Sequence, residues 1–207
     1  DPARIAFDFD LELVKAGFYP RGGGEIRCRI RPAGRLDSMT LVERGVCRRI
    51  TGISAVALLD ERIAERQRDQ VIKRLGGEAM PILIEIRKLA AGSPGTMLLL
   101  EAEFEWSRWC GCSLGARGKP AERVADEAVE AFLAFRATGA AVDCFLADQL
   151  ILALAIAHGT SELRCDLISQ HLLTNAEVIR AFLPAAIEIQ GAHGGPGLLR
   201  IQGVPPT

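Results

Sequence analysis

The sequence lacks the features that mark several classes of protein. Only two Trp, one Tyr and eight Phe occur among its 207 residues, so the core must be mainly aliphatic. No apolar run reaches the about 18 residues that span a bilayer, and the longest, residues 150–157, ends at His158. Acidic residues interrupt the N-terminal stretch in which a signal peptide would be apolar. We therefore expect a cytoplasmic protein without a membrane partner.

A strong positive charge is also missing. The net charge is −1, which excludes the broad basic field that holds nucleic acid without regard to sequence. Any contact with RNA or DNA should then be local. The six cysteines are scattered, and only Cys110 and Cys112 are close. No second pair or nearby His completes a zinc site, so we predict reduced thiols and assign no metal ligand.

What the sequence has is the composition of an ordinary globular protein, with 49% apolar and 25% charged residues. Its length fits one large domain or two small ones. Alternating polar and apolar residues predict a β-hairpin, with strands at 8–15 and 25–31 around a glycine-rich turn at 17–24. The first strand should be half-buried, with its apolar side inward.

The pattern from residue 40 to residue 138 predicts a self-contained α/β unit of the order β-α-β-β-α. Its predicted elements are strand 50–59, helix 60–75, strands 82–88 and 96–106, loop 110–118 and helix 120–137.

The remaining chain predicts two more helices. Asp143 can cap a helix that runs to residue 157, apolar on nearly all sides and therefore expected to be buried. The capping-box spacing of Thr174 and Glu177 indicates the start of the other helix. The predicted strands of this part are 163–168, 187–190 and 198–202.

The first candidate site is the glycine triplet Gly22-Gly23-Gly24. It lacks the Gly-Lys-Ser/Thr ending of a Walker loop and opens no helix. One interpretation is a flexible hairpin turn; the other is a backbone surface that lets a phosphate approach closely. Six basic residues against one acid between residues 15 and 35 favour the second interpretation, and Arg21 lies inside the turn itself.

His171 stands between a predicted strand and a predicted helix. The N–H groups at a helix start favour an anionic ligand, and a neutral imidazole there could attack a phosphorus atom to form a phosphoramidate. The alternative is a hydrogen-bonded histidine that fills the junction. We interpret His158, at a helix end, as structural, and His193, in a glycine-rich turn, as solvated.

Residues 145–149 place an aromatic ring, a carboxylate and an amide within little more than one helical turn. Phe145 and Asp148 share a helix face at i, i+3, which suits stacking on a purine and contact with its edge. The alternative assigns Phe145 to the core and Asp148 and Gln149 to the surface. Asp148 is the anomaly on so apolar a helix, because a buried unpaired acid is costly.

Three segments resemble one family. Residues 17–26 (GFYPRGGGEI) closely resemble the signature of the RNA 3′-terminal phosphate cyclases, and residues 145–150 (FLADQL) resemble their nucleotide-binding helix. Residues 171–175 (HLLTN) resemble the segment that holds their adenylated histidine. The segments occur in the family's order with near-family spacing, and the resemblance extends from about Leu13 to Gly203.

The resemblance implies an ATP-dependent ligase that acts on RNA ends. In that family a histidine takes AMP from ATP and releases pyrophosphate. AMP then passes to the RNA 3′-phosphate, and the vicinal 2′-hydroxyl displaces it to leave a 2′,3′-cyclic phosphate. Carried onto this chain, the resemblance makes His171 the nucleophile, and it assigns the adenylate pocket to Phe145, Leu146, Ala147, Asp148 and Gln149.

The resemblance also implies further binding partners. Arg21, Gly22, Gly23 and Gly24 are expected at the substrate phosphate, and a divalent metal (Mg or Mn) would neutralise the triphosphate. The family's N-terminal half supplies metal and phosphate ligands and has no counterpart in this sequence. We therefore expect a truncated or cleaved chain, with the metal ligands outside it and a complementary N-terminal fragment completing the site.

The fold class that the resemblance implies combines α+β and α/β architecture. The family builds its main domain from repeated βαβαββ units, like the C-terminal domain of a translation initiation factor, and inserts a smaller α/β domain. Residues 1–39 and 139–207 would be parts of the main domain. Residues 40–138 would be the insert.

Two other functions are compatible with these residues. A non-catalytic cyclase-like protein could act as a scaffold in ribosome assembly, but such relatives lack the nucleophilic histidine, whereas His171 is present. A generic nucleotide-binding fragment without RNA chemistry is the third hypothesis. Labelling with ATP separates the three, because only the cyclase should carry AMP on His171 and discharge it to RNA.

Overall fold

The structure is a computed structural model that describes residues 8–32 and 34–205, so residues 1–7, 33 and 206–207 of the predicted main domain lie outside the described residues. The strands are β1 (Asp8–Lys15), β2 (Glu25–Arg31), β3 (Thr40–Leu41), β4 (Cys47–Ala57), β5 (Ile82–Lys88), β6 (Gly95–Phe104), β7 (Arg108–Leu114), β8 (Thr160–Cys165), β9 (Ala186–Gly191) and β10 (Gly197–Gln202). The helices are α1 (Arg62–Leu75), α2 (Ala121–Thr138), α3 (Cys144–Ala155) and α4 (Gln170–Phe182). The predicted mixture of helices and strands is confirmed.

The N-terminal hairpin is confirmed, but its predicted burial is wrong. Strands β1 and β2 pair antiparallel, with Phe9 opposite Ile30 and Leu13 opposite Ile26. These four side chains are each exposed by more than half. Alternation shows that one face of a strand suits burial, but it does not say whether another element is present to cover that face.

A four-stranded sheet of order β5-β4-β6-β7 carries α1 and α2. The loop predicted at residues 110–118 is wrong for its first half, because β7 pairs with β6 as far as Leu114. The segment Cys110-Gly111-Cys112 lacks the clear alternation of polar and apolar residues that predicts a strand. Gly111 is needed there because a Cβ at that position would lie 2.3 Å from the Trp109 indole.

The second four-stranded sheet has the order β3-β8-β10-β9 and carries α3 and α4. Its elements follow one another as β3-α3-β8-α4-β9-β10, with residues 42–143 between the first two. Strand β3 belongs to this sheet, because Thr40 pairs with Glu162 and Leu41 with Leu163. The prediction that the α/β unit begins at residue 40 is therefore wrong for residues 40–41. The division into a main domain and an insert stays a prediction.

Buried apolar residues form two clusters, one drawn from residues 50–140 and the other from residues 142–201. The second cluster includes Ile151, Leu154, Leu163, Leu172 and Leu199, all completely buried. It fixes α3 and α4 on their sheet. No helix in residues 8–32 and 34–205 combines the length and apolar character needed to cross a bilayer.

Candidate functional site

Helix α3 begins as the sequence predicts. The Asp143 carboxylate accepts a hydrogen bond from the Leu146 N–H at 2.7 Å and caps the helix. The expectation that the whole helix is buried is wrong, because Phe145 is 72% and Leu152 55% exposed. The sheet and α4 cover only part of the helix surface, so the opposite face is left open.

Helix α4 begins earlier than the sequence predicts. Its N-cap is Ser169, whose Oγ accepts a hydrogen bond from the Leu172 N–H at 3.1 Å. The capping box at Thr174 is wrong, because the Thr174 hydroxyl donates to the Gln170 carbonyl inside the helix. His171 therefore lies in the first turn of α4, where backbone N–H groups lack intrahelical acceptors and the helix dipole is positive.

Three polar side chains meet between α3 and α4. Nδ1 of His171 lies 3.5 Å from Oδ2 of Asp148, and Nδ2 of Asn175 donates to Oδ1 of Asp148 at 2.6 Å. The Asp148 side chain is 21% exposed and the His171 side chain 87%. Because Nδ1 faces the carboxylate, Nε2 on the far side of the ring is open to a ligand. Asp148, the acid that is unexpected on so apolar a helix, thus has its polar partners on α4.

The predicted adenylate segment presents two different surfaces. Phe145 and Gln149 are exposed on α3, and the partly buried Asp148 contacts α4 through Asn175. Ala147 is completely buried in the second core, and Leu146 packs against that core. The side chain of Ala147 therefore cannot line a surface pocket, which corrects that part of the prediction. The alternative that placed Phe145 in the core is also wrong.

The glycine turn is shaped by its own backbone. Gly22 and Gly23 have φ values of 58° and 71°, a region that residues other than glycine rarely adopt. A Cβ on Gly17 would lie 2.7 Å from the backbone nitrogen of Gly24. Positive φ thus accounts for Gly22 and Gly23, and the close crossing of the chain accounts for Gly17 and Gly24.

The glycine turn rests on the connection between β5 and β6. The Ala16 N–H donates to the Ala90 carbonyl at 2.8 Å, and the Arg21 N–H donates to Ser93 Oγ at 3.3 Å. Within residues 8–32 and 34–205, no hydrogen bond joins this turn to α3 or α4. The described hydrogen bonds thus link this turn to the β5–β6 connection, and none of them links Arg21 or the glycine triplet to His171.

Sequence reasoning missed Asn175 and Asp166. Asn175 is the only asparagine in the chain and lies four residues after His171, a spacing that places both on one face of a helix. Among residues 8–32 and 34–205, Oδ1 of Asp166 is buried and has no hydrogen-bond partner. Burial, reinforced by Asp143, raises the pKa of this carboxyl. No sequence signal distinguished Asp166 from other loop acids.

Four of the cysteine thiols share one electrostatic feature. Burial raises the pKa of the Cys110, Cys112, Cys144 and Cys165 thiols, which keeps them protonated and weakly nucleophilic. In the described part of the chain, no three metal-ligating side chains come together. The candidate site is therefore the surface of α3 and α4 around His171.

Comparison with known proteins gives one consistent result. The family model for RNA 3′-terminal phosphate cyclase matches residues 3–189. A protein of that name from Methanopyrus kandleri is 36% identical over 206 residues, covering 96% of this chain and 58% of the relative. Namesakes from Pyrobaculum neutrophilum and Ralstonia nicotianae are each 38% identical and are covered over 57% and 56% of their lengths. The chain thus spans less than three fifths of these relatives.

Proposed function

Because the chain belongs to the RNA 3′-terminal phosphate cyclase family, we propose that it carries the adenylyl-transfer centre of an ATP-dependent RNA ligase. The enzyme would convert an RNA 3′-terminal phosphate to a 2′,3′-cyclic phosphate. The observation that supports this proposal is the open His171 imidazole in the first turn of α4, with Nδ1 facing Asp148 and Nε2 accessible.

His171 would be the nucleophile in the first step. Its Nε2 lone pair attacks the α-phosphorus of ATP, a P–N bond forms, and the bond to the bridging oxygen breaks to release pyrophosphate. The imidazole gains positive charge in this step. Asp148, only 21% exposed, lies beside Nδ1 and stabilises that charge more than a fully solvated carboxylate would.

The second step would restore His171, and the third would form the cyclic phosphate. An oxygen of the RNA 3′-phosphate attacks the AMP phosphorus, and the P–N bond breaks, returning the neutral imidazole. The RNA 2′-hydroxyl then attacks the 3′-phosphorus, gives its proton to solvent, and displaces AMP. Neutral imidazole leaves readily from a protonated phosphoramidate, which suits a carrier that must pass AMP on.

Phe145 and Gln149 would hold the adenine. The Phe145 ring is 72% exposed on α3, one turn before Asp148, and so offers a face for stacking. Gln149 is also exposed, and its amide can donate to or accept from the purine edge. Asp148 already serves His171 and Asn175, so we assign it to the histidine rather than to the base.

The remaining ligands stay predictions. Arg21, Gly22, Gly23 and Gly24 remain candidates for the substrate phosphate, although their turn contacts residues 90–93. A divalent metal would supply charge neutralisation when bound, but the described residues offer no set of three ligands. We assign no reaction step to a metal. A complementary N-terminal fragment is proposed to supply the metal ligands and further phosphate ligands.

The fold supports the same proposal. We propose that β3-α3-β8-α4-β9-β10 is one of the family's repeated βαβαββ units. The α/β elements from β4 to α2 would then be the inserted domain. The six free cysteines support a cytoplasmic location, because thiols persist in that reducing compartment.

Labelling with ATP tests the proposal. The chain, incubated with α-labelled ATP and Mg²⁺ or Mn²⁺, should acquire a label that is labile in acid and stable in base. His171→Ala should abolish the label, whereas His193→Ala, which alters an exposed histidine outside the site, should retain it. RNA with a 3′-phosphate should discharge the label as free AMP. Absence of label, also after a complementary fragment is added, would contradict the proposal.

A further inference from the structure

The polar cluster between α3 and α4 contains a residue to which no role has been given. Asn175 lies one turn after His171 on α4, and its Nδ2 donates to Oδ1 of Asp148 at 2.6 Å. Oδ2 of the same carboxylate lies 3.5 Å from Nδ1 of His171. One carboxylate thus faces two side chains of the neighbouring helix, one with each oxygen.

The hydrogen bond from Asn175 restricts the Asp148 carboxylate. An ionised carboxylate only accepts hydrogen bonds, and the amide Nδ2 only donates them. Once Oδ1 is held by Asn175, rotation of the carboxylate is hindered and Oδ2 remains directed at the imidazole. A hydrogen bond to an ionised group is stronger than one between neutral groups, so this contact can orient the acid.

Neighbouring polar groups in the first turns of α4 are occupied elsewhere. Ser169 Oγ accepts from the Leu172 N–H, and the Thr174 hydroxyl donates to the Gln170 carbonyl. Gln170 Nε2 lies 3.4 Å from Thr174 Oγ1. The carboxylate of Asp148 is therefore the acceptor that faces Nδ1 of His171.

We infer that Asn175 is a positioning residue that acts through Asp148 to set the tautomer of His171. With Oδ2 directed at Nδ1, the neutral imidazole carries its proton on Nδ1 and keeps its lone pair on Nε2. Nε2 is the atom that the solvent-exposed side of the ring presents to a nucleotide. The catalytic meaning of this inference rests on the proposed function, but the tautomer itself does not.

The tautomer can be measured directly by NMR. In the ¹⁵N-labelled chain without nucleotide, the nitrogen shifts of His171 should show the Nδ1–H form in excess at a pH where the ring is neutral. Asn175→Leu, which keeps the side-chain size but removes the donor, should lower the Nδ1–H to Nε2–H ratio roughly three- to tenfold. Asp148→Ala should lower it at least as far.

Matched variants separate positioning from folding. Gln170→Ala removes an amide that adjoins His171 but does not contact Asp148 in the described hydrogen bonds, and it should leave the ratio unchanged. Asn175→Asp removes the donor and adds a like charge, and it should lower the ratio. Circular dichroism and amide spectra confirm that each variant is folded.

Two results would overturn the inference: an excess of Nε2–H in the unaltered chain, or an unchanged ratio in folded Asn175→Leu. These measurements contain no ATP or RNA. If the unaltered chain shows the Nδ1–H preference but is not adenylylated by ATP, the proposed function is contradicted and the positioning role of Asn175 remains.

Discussion

The aromatic ring of Phe18 lies directly over Gly95, in the space that a Cβ at position 95 would occupy. That Cβ would lie 2.1 Å from Cγ of Phe18. The contact joins the glycine turn after β1 to the first residue of β6, and the Ala16–Ala90 hydrogen bond reinforces it.

Gly95→Ala should therefore loosen this junction. Because the ring must shift, we expect the substitution to lower the free energy of unfolding by about 1–3 kcal/mol, measured by urea denaturation. Gly77→Ala is the control, since nothing lies within 4 Å of a Cβ at position 77. Equal effects of the two substitutions would show that Phe18 does not pack on Gly95.

The corrected start of α4 gives a second prediction. Ser169→Ala removes the hydroxyl that caps the Leu172 N–H and should cost about 1 kcal/mol of stability. Thr174→Ala, at the position where the sequence pattern places the cap, should change stability by less than about 0.5 kcal/mol. Thermal unfolding of both variants decides between the two starts. A larger loss of stability for Thr174→Ala than for Ser169→Ala would show that Thr174 caps the helix.

The exposed hairpin face predicts tolerance to polar substitution. Leu11 is 61% exposed, so Leu11→Thr, which retains strand propensity, should change the free energy of unfolding of this chain by less than about 0.5 kcal/mol. Leu163→Ala, in the second core and completely buried, should lower it by about 2–5 kcal/mol. Urea denaturation measures both. A loss above about 2 kcal/mol for Leu11→Thr would mean that the hairpin face is covered.

Asp166 predicts a pH dependence of stability. Burial raises the pKa of this carboxyl in the folded chain, so the folded state binds its proton more tightly than the unfolded state. This contribution favours folding at low pH and is lost as pH rises through the raised pKa. Asp166→Asn, which cannot ionise, should therefore raise the melting temperature more at pH 7 than at pH 3.

The reverse trend for Asp166→Asn, or an equal change at both pH values, would contradict the assignment. Asp37→Asn is a suitable control because Asp37 is exposed and ion-paired with Arg35. That substitution should give no stabilisation at pH 7.

Local patterns were sufficient to predict much of the fold. The hairpin, the helix capped by Asp143 and the closing strands follow from alternation and capping, which act within a few residues. The predicted start of α4 is wrong because the capping-box spacing of Thr174 and Glu177 recurs inside a helix that Ser169 already caps. Which strand faces are covered depends on distant elements, so the exposure of Leu11 could not be predicted.

The candidate site was only partly predictable for the same reason. His171 and Phe145 were identified from their segments, but the partner of Asp148 lies on another helix. Asn175 comes 27 residues after Asp148, and only the packing of α3 against α4 brings them together. The outward turn of Phe145 and the burial of Ala147 likewise depend on which side of α3 meets the sheet.

Peptide mapping after reaction with ATP tests the central claim most directly. Trypsin should release residues 165–180, a peptide that contains His171 but neither His158 nor His193. After incubation of the chain, with a complementary fragment if needed, with ATP and Mg²⁺ or Mn²⁺, mass spectrometry should find one adenylyl group on this peptide, and fragmentation should assign it to His171. An adenylyl group on another peptide, or none on any peptide, would contradict the assignment of His171 as the AMP carrier.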